Sequence, residues 1–117
     1  MIELTLPVPP SVNHYYVRTK YGMAIGKEGK AYREKVYLEV KNKYPRHTTF
    51  DRKVSVLIDF VPGSKRRRDV DNVLKCLLDS FEKAEIYSND FQVNVLLIKR
   101  LEPQKDNGHL KVKIYET

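Results

Sequence analysis

Cysteine is almost missing from this chain. The single Cys76 excludes an intrachain disulfide and a cysteine-rich zinc finger. Long apolar runs are missing as well. The longest are three or four residues, far short of the roughly 20 that a membrane-spanning helix needs. The opening MIELTLPVPP carries an acid at Glu3 and has no apolar stretch long enough for a signal-peptide core. The expectation is a soluble, cytoplasmic protein with no membrane partner. His14, His47 and His109 are scattered at no metal-ligand spacing and read as surface or turn residues. No repeat, low-complexity tract or Gly/Ser linker divides the 117 residues, so residues 1–117 are expected to form one domain. Folding a chain of this size buries roughly 65% of its surface, which supports one modest core and no large cavity for a small-molecule cofactor.

What is present is positive charge. There are 22 Lys and Arg against 15 Asp and Glu, a formal net charge of +7. Hydrophobic residues at 41% and charged residues at 32% make an ordinary globular balance, which argues against disorder. The basic excess favours a polyanionic partner, although a well-solvated basic surface has the same composition.

Hydrophobic periodicity gives the order of elements. Residues 2–7 alternate as a first strand that Pro7, Pro9 and Pro10 end. A hairpin with Tyr21-Gly22 near its turn follows. From about Lys27 to Tyr44 a stripe of Tyr32, Val36, Val40 and Tyr44 predicts a helix that Pro45 stops. Residues 53–61 place Val54, Val56, Ile58 and Phe60 on one face of a strand. A second helix over roughly 71–85 is marked by Val70, Leu74, Leu77, Leu78 and Phe81. Strands near 93–98 and 109–115 close the chain. The order β(β)αβαββ predicts an α/β (α+β) protein, with one mixed sheet and two main helices.

The stretch from Lys65 to Asp90 carries the chemistry. Four consecutive bases, Lys65, Arg66, Arg67 and Arg68, abut Asp69-Val70-Asp71-Asn72 at a helix start. Metal-assisted phosphoryl transfer needs this adjacency, because carboxylates hold a hard cation through oxygen ligands while bases position the polyanion. With Asp69 in an extended lead-in, Asp71 at the helix N-cap or in the first turn leaves both side chains free to converge on one ion. Lys75 follows Asp71 by four residues on the same flank of the helix, within reach of a phosphate held there. Asp90 lies past the helix. It returns to Asp69 only if strand 93–98 runs beside strand 53–61. Blander readings coexist: Asp71 as an N-cap, Lys75 paired with Asp71 or Asp79, the basic run as a solvated loop, and Asn89-Asp90 as a turn.

With these residues in view, the sequence resembles the RusA-type endodeoxyribonucleases, Holliday junction resolvases common in phages and prophages. The resemblance begins with Pro10-Ser11-Val12-Asn13-His14-Tyr15 and is strongest from Arg68 to Asp79. It continues through Ile86-Tyr87-Ser88-Asn89-Asp90-Phe91-Gln92-Val93. It implies a RusA-like fold and a homodimer that nicks four-way, branched DNA symmetrically. It implies that Asp69, Asp71 and Asp90 are catalytic acids binding Mg²⁺, with Mn²⁺ as a substitute, and that Lys75 is the essential lysine. Lys65, Arg66, Arg67, Arg68 and Asn72, with Asn13 and Tyr15, are the expected DNA contacts, and Asp79 is expected to partner Lys75 on the helix surface. One departure stands out. The family's acidic pair is Asn89-Asp90 here, and Phe91 occupies a position that is usually small. Asp90 is taken as the functional acid because its distance from Asp69 matches the family spacing. Other readings compatible with the residues are a DNA-binding relative that no longer cuts, a small nuclease for other branched or linear DNA, and a basic partner-binding protein of a phage replication complex.

Overall fold

In the computed structural model, every residue is described except Arg67 and Arg68, with Val12 and Asn13 described by backbone alone. Strand β1, Ile2–Leu6, buries Ile2, Leu4 and Leu6 and exposes Glu3 and Thr5, the period-2 alternation of a sheet with one covered face. After the prolines the chain makes a single helical turn, α1 (Val12–Tyr15), closed by the amides of His14 and Tyr15 on the Ser11 carbonyl. This turn is too short to leave a periodic trace in the sequence. The expected hairpin follows as β2 (Tyr16–Thr19) and β3 (Gly22–Ile25), paired antiparallel. Gly22 sits at φ +114°, a conformation L side chains rarely adopt.

Helix α2, Lys27–Lys43, buries Gly29, Tyr32, Val36 and Val40, as the stripe predicts, with Tyr44 half-buried beyond its end. Strand β4, Val54–Val61, sends Val54, Val56, Ile58 and Phe60 into the core. The second predicted helix is a 3-10 turn, Val70–Val73, running into α3, Leu74–Lys83. It is shorter at its C-terminus than the sequence pattern suggests. The chain reverses there, with Glu85 at φ 62° and the Ile86 amide bonded back to the Phe81 carbonyl, the pattern of a left-handed helix stop. The buried residues of this segment are Val73, Cys76, Leu77, Ser80 and Phe81, while Val70, Leu74 and Leu78 are only partly covered. The difference from the predicted stripe arises because α3 packs on α2 and also shares one hydrophobic cluster with the sheet, which widens and turns the buried arc. Ser80 enters it by donating its hydroxyl to the Cys76 carbonyl at 2.7 Å.

Strands β5 (Val93–Arg100) and β6 (His109–Glu116) complete a four-stranded sheet in the order β1-β6-β4-β5. β6 runs antiparallel to both β1 and β4, whereas β5 runs parallel to β4. A parallel pair requires a crossover, and α3 is that crossover. The sheet is mixed, as expected, and β5 lies beside β4. One hydrophobic cluster joins the inner sheet face to α2 and α3. β5 is an edge strand with Val95, Leu96 and Leu97 exposed. Among the described residues no helix is long and apolar enough to cross a membrane.

Candidate active site

The loop after β4 is fastened at its base. The Pro62 and Gly63 carbonyls accept the amides of Gln104 and Asp106, and Gly63 lies against Gly108 so closely that a Cβ on Gly108 would sit 2.7 Å from the Gly63 nitrogen. Lys65 and Arg66 stand exposed at the tip, where the Arg66 amide donates to Ser64 Oγ. Arg67 and Arg68, expected to bind DNA, lie outside the described residues, as does the Asn13 side chain.

Asp69 is extended (φ −75°, ψ 140°) at the N-cap of the 3-10 turn, and its side chain makes no capping hydrogen bond. Asp71 is in the first turn rather than at the cap, and its exposed carboxylate has no hydrogen-bond or ion-pair partner among the described residues. Asn72, half-buried, follows with its amide on the Asp69 carbonyl. Asp69 and Asn72 share one wall of an open groove of about 1140 Å³. The prolines after β1, His14, Lys35 of α2 and Arg66 line the rest of it.

Lys75 extends along α3 toward Asp79, with Nζ 3.5 Å from Oδ1. The Asp79 carboxylate pushes the Lys75 ammonium above its ordinary range, and Asp90 adds to the effect from farther away. The Lys75 side chain remains about half exposed to solvent. Asp79 is gripped from beneath by the Tyr15 hydroxyl, which donates to Oδ2 at 2.8 Å. Burial, then the carboxylate, drive the Tyr15 phenol far up. Tyr15 is fully buried, which corrects the expectation that it contacts DNA. Its ring belongs to the core and its hydroxyl positions Asp79. Sixty-four residues separate the pair, so no sequence spacing announces it.

Asp90 opens a second 3-10 turn, Asp90–Gln92. Asn89 caps it by accepting the Phe91 amide at 2.8 Å, while Gln92 Oε1 accepts the amides of Ser88 and Asn89, a reciprocal capping box. The Gln92 side chain also donates to the carbonyls of Phe50 and Arg52, just before β4. Glu82 of α3 accepts the Asp90 amide at 3.0 Å. The turn is therefore tied to both β4's approach and α3. Neither Glu82 nor Gln92 is conspicuous as a site residue in the sequence, though N-x-x-Q is a recognisable capping pattern. Among the described residues, no three His, Cys, Asp or Glu converge as a ready-made metal cage.

A basic loop, two aspartates at a helix start, an exposed lysine and a third aspartate tied to the same helix are thus mounted on one two-layer scaffold. Residues 7–115 match the family described as Endodeoxyribonuclease RusA. The chain belongs to the RusA family. The crossover junction endodeoxyribonuclease RusA of Shigella sonnei is 34% identical over 114 residues, covering 97% of this chain and 93% of that protein. Its Escherichia coli K12 counterpart is 33% identical with the same coverage. The crossover junction endodeoxyribonuclease of Enterobacteria phage HK97 is 36% identical over 115 residues, again covering 97% and 93%. The RusA match takes in the fastened loop, both 3-10 turns and all four sheet strands except β1, so it covers every element described as part of the candidate site.

Proposed function

We propose that this protein is a metal-dependent endodeoxyribonuclease that resolves four-way DNA junctions by paired phosphodiester hydrolysis, acting in recombination and repair in the cytoplasm. The observation that carries the reading is the pairing of RusA membership over residues 7–115 with exposed Asp69 and Asp71 at the foot of the basic loop. Asp69, Asp71 and Asp90 are the residues that would hold Mg²⁺, or Mn²⁺ in its place. Their donor set fits: all three are exposed, and Mg²⁺ is commonly bound through one or two carboxylates together with waters and substrate phosphates, so a preassembled three-acid cage is not required. When bound, the cation supplies Lewis acidity and offsets phosphate charge.

The chain's own residues do the remaining work. Lys75, paired with Asp79 at 3.5 Å, would neutralise charge that develops on the phosphate oxygens. Tyr15 fixes Asp79 and is a positioning residue. Lys65 and Arg66, with Arg67, Arg68 and Asn72, would grip the flanking backbone, which gives affinity without base readout. Homodimerisation suits a two-fold substrate. It is supported by the edge strand β5, whose Val95, Leu96 and Leu97 are 40–50% exposed. An apolar edge left open is an association surface, and antiparallel pairing of two β5 strands would close it.

The test is cleavage of a labelled synthetic four-way junction in Mg²⁺ or EDTA, beside linear duplex and the Asp71→Asn variant. Symmetric nicks in the junction alone, abolished by EDTA and by Asp71→Asn with binding retained, are expected. Tight junction binding without nicking in Mg²⁺ or Mn²⁺ would refute the enzyme and leave a structure-specific binding protein.

A further inference from the structure

The side chain of Phe91 is 93% exposed, more than any other large hydrophobic residue described. Its mounting is the opposite of loose. Five consecutive backbone amides, from Ser88 to Gln92, all donate hydrogen bonds. Ser88 and Asn89 donate to Gln92 Oε1, Asp90 to Glu82 Oε1, Phe91 to Asn89 Oδ1, and Gln92 to the Asn89 carbonyl. The Gln92 side chain then pins the turn to the carbonyls of Phe50 and Arg52. Phe91 thus presents an exposed benzyl group from a bonded backbone, so little backbone freedom remains to be lost when something lands on it.

What lands there is indicated by the surroundings. Its chain neighbours Ser88, Asn89, Asp90 and Asn94 are all exposed and polar, so the ring stands out among polar groups along this stretch of chain. That suits a nucleobase, which offers a π-face and polar edges. Phe91 is also the residue next to Asp90, and adjacent Cα atoms are about 3.8 Å apart. In a 3-10 turn consecutive side chains diverge by about 120°, as base and phosphate diverge within one nucleotide.

We propose that Phe91 stacks on a nucleobase displaced at the branch point, next to the phosphate that Asp90 serves. This rests on the nuclease reading above and extends it. The site would take an unstacked base of any identity, because stacking is tolerant of sequence. It would be particular to chains carrying an aromatic residue at this position.

The experiment uses the full chain and a junction carrying 2-aminopurine at single positions around the crossover, in Ca²⁺ to prevent cutting. Phe91→Ala, Phe91→Leu and Phe91→Trp are compared with the unaltered protein in binding, fluorescence, oligomeric state by sedimentation, and kcat and KM in Mg²⁺. A fluorescence change confined to a position beside the nick is expected. It should be lost in Phe91→Ala and Phe91→Leu and kept in Phe91→Trp, with kcat/KM falling about tenfold or more in the first two variants. Full activity and an unchanged signal in Phe91→Ala overturn the proposal while leaving the nuclease reading intact. So does rescue by leucine, or a shift of Phe91→Ala to monomer, which would make the ring a protein contact. Failure of the unaltered protein to bind the junction at all overturns the nuclease reading, and this proposal with it.

Discussion

Replacing Gly29 by alanine sets two effects of opposite sign against each other. In an open helix interior the change stabilises by about 1 kcal/mol. Here an added Cβ would lie 2.5 Å from Cδ1 and 2.7 Å from Cε1 of Tyr15, and 3.0 Å from Cγ2 of Ile25. The Tyr15 ring is fully buried and its hydroxyl is fixed on Asp79 at 2.8 Å, so it yields only by displacing core neighbours or by giving up that bond. Overpacking costs about 1–3 kcal/mol, and losing the partly exposed Tyr15–Asp79 bond adds about 1 kcal/mol. Steric conflict therefore wins, and Gly29→Ala is expected to destabilise by about 1–3 kcal/mol after the helix gain is subtracted. Urea unfolding followed by circular dichroism reads this as a midpoint lowered by about 1 M at unchanged slope. The decisive comparison repeats the change in a Tyr15→Leu background, where the ring is gone and alanine should cost little or stabilise. An equal cost in both backgrounds, or stabilisation in the unaltered protein, would refute the argument that Gly29 exists to admit Tyr15.

Tyr15→Phe keeps the ring and removes the hydroxyl. Because the Asp79 side chain is 25% exposed and water can replace the donor, the expected loss is about 1 kcal/mol. A double-mutant cycle with Asp79→Ala should return a coupling of about that size, and zero coupling would contradict the assignment. The buried Cys76 thiol is pushed up from 9.0 to about 11 by burial. The folded chain therefore holds that proton more tightly than the unfolded one, so the stability this contributes is complete below pH 9 and is lost as pH rises from 9 to about 11. Urea midpoints should fall across that window and fall less steeply in Cys76→Ala; identical slopes would show that the thiol does not titrate as described. The tyrosines raised by burial, Tyr15, Tyr32 and Tyr87, add to the loss only above about pH 10.

The regular elements were legible because each repeats a burial pattern at its own period: Ile2, Leu4 and Leu6 at two, Tyr32, Val36 and Val40 near four. The extended backbone of Asp69 was legible as well, whereas Asp71 could be placed only at the N-cap or in the first turn, and it is Asp69 that occupies the cap. Pairings across the fold were not. The contact between Tyr15 and Asp79 joins α1 to α3 and depends on how α2 spaces them, which no local spacing records. The segment Val95-Leu96-Leu97 reads as strand, but its place at the sheet edge was not legible. An apolar strand looks the same in sequence whether its neighbour is its own chain or a second copy.

The separation of the acids between two elements bears on how such a site would assemble. Asp69 and Asp71 stand where β4's loop enters α3, and Asp90 stands where the chain enters β5, so their relation is set by the parallel β4–β5 pairing and by α3 between them. That pairing contains an irregularity: Val54 faces Val93, but Ser55 faces Val95, leaving Asn94 unmatched. A bulge of this kind bends and twists a strand where it begins, which sets the direction from which the Asp90–Gln92 turn departs. Gln92 secures that departure on the side of β4, through Phe50 and Arg52, and Glu82 secures it on the side of α3. The backbone carrying Asp90 is thus braced on both sides, while among the described residues the acids form no ready-made metal cage. In the proposed enzyme Asp69, Asp71 and Asp90 would hold a cation that keeps waters and takes oxygens from its substrate, so completion of the site would be coupled to DNA and not to folding.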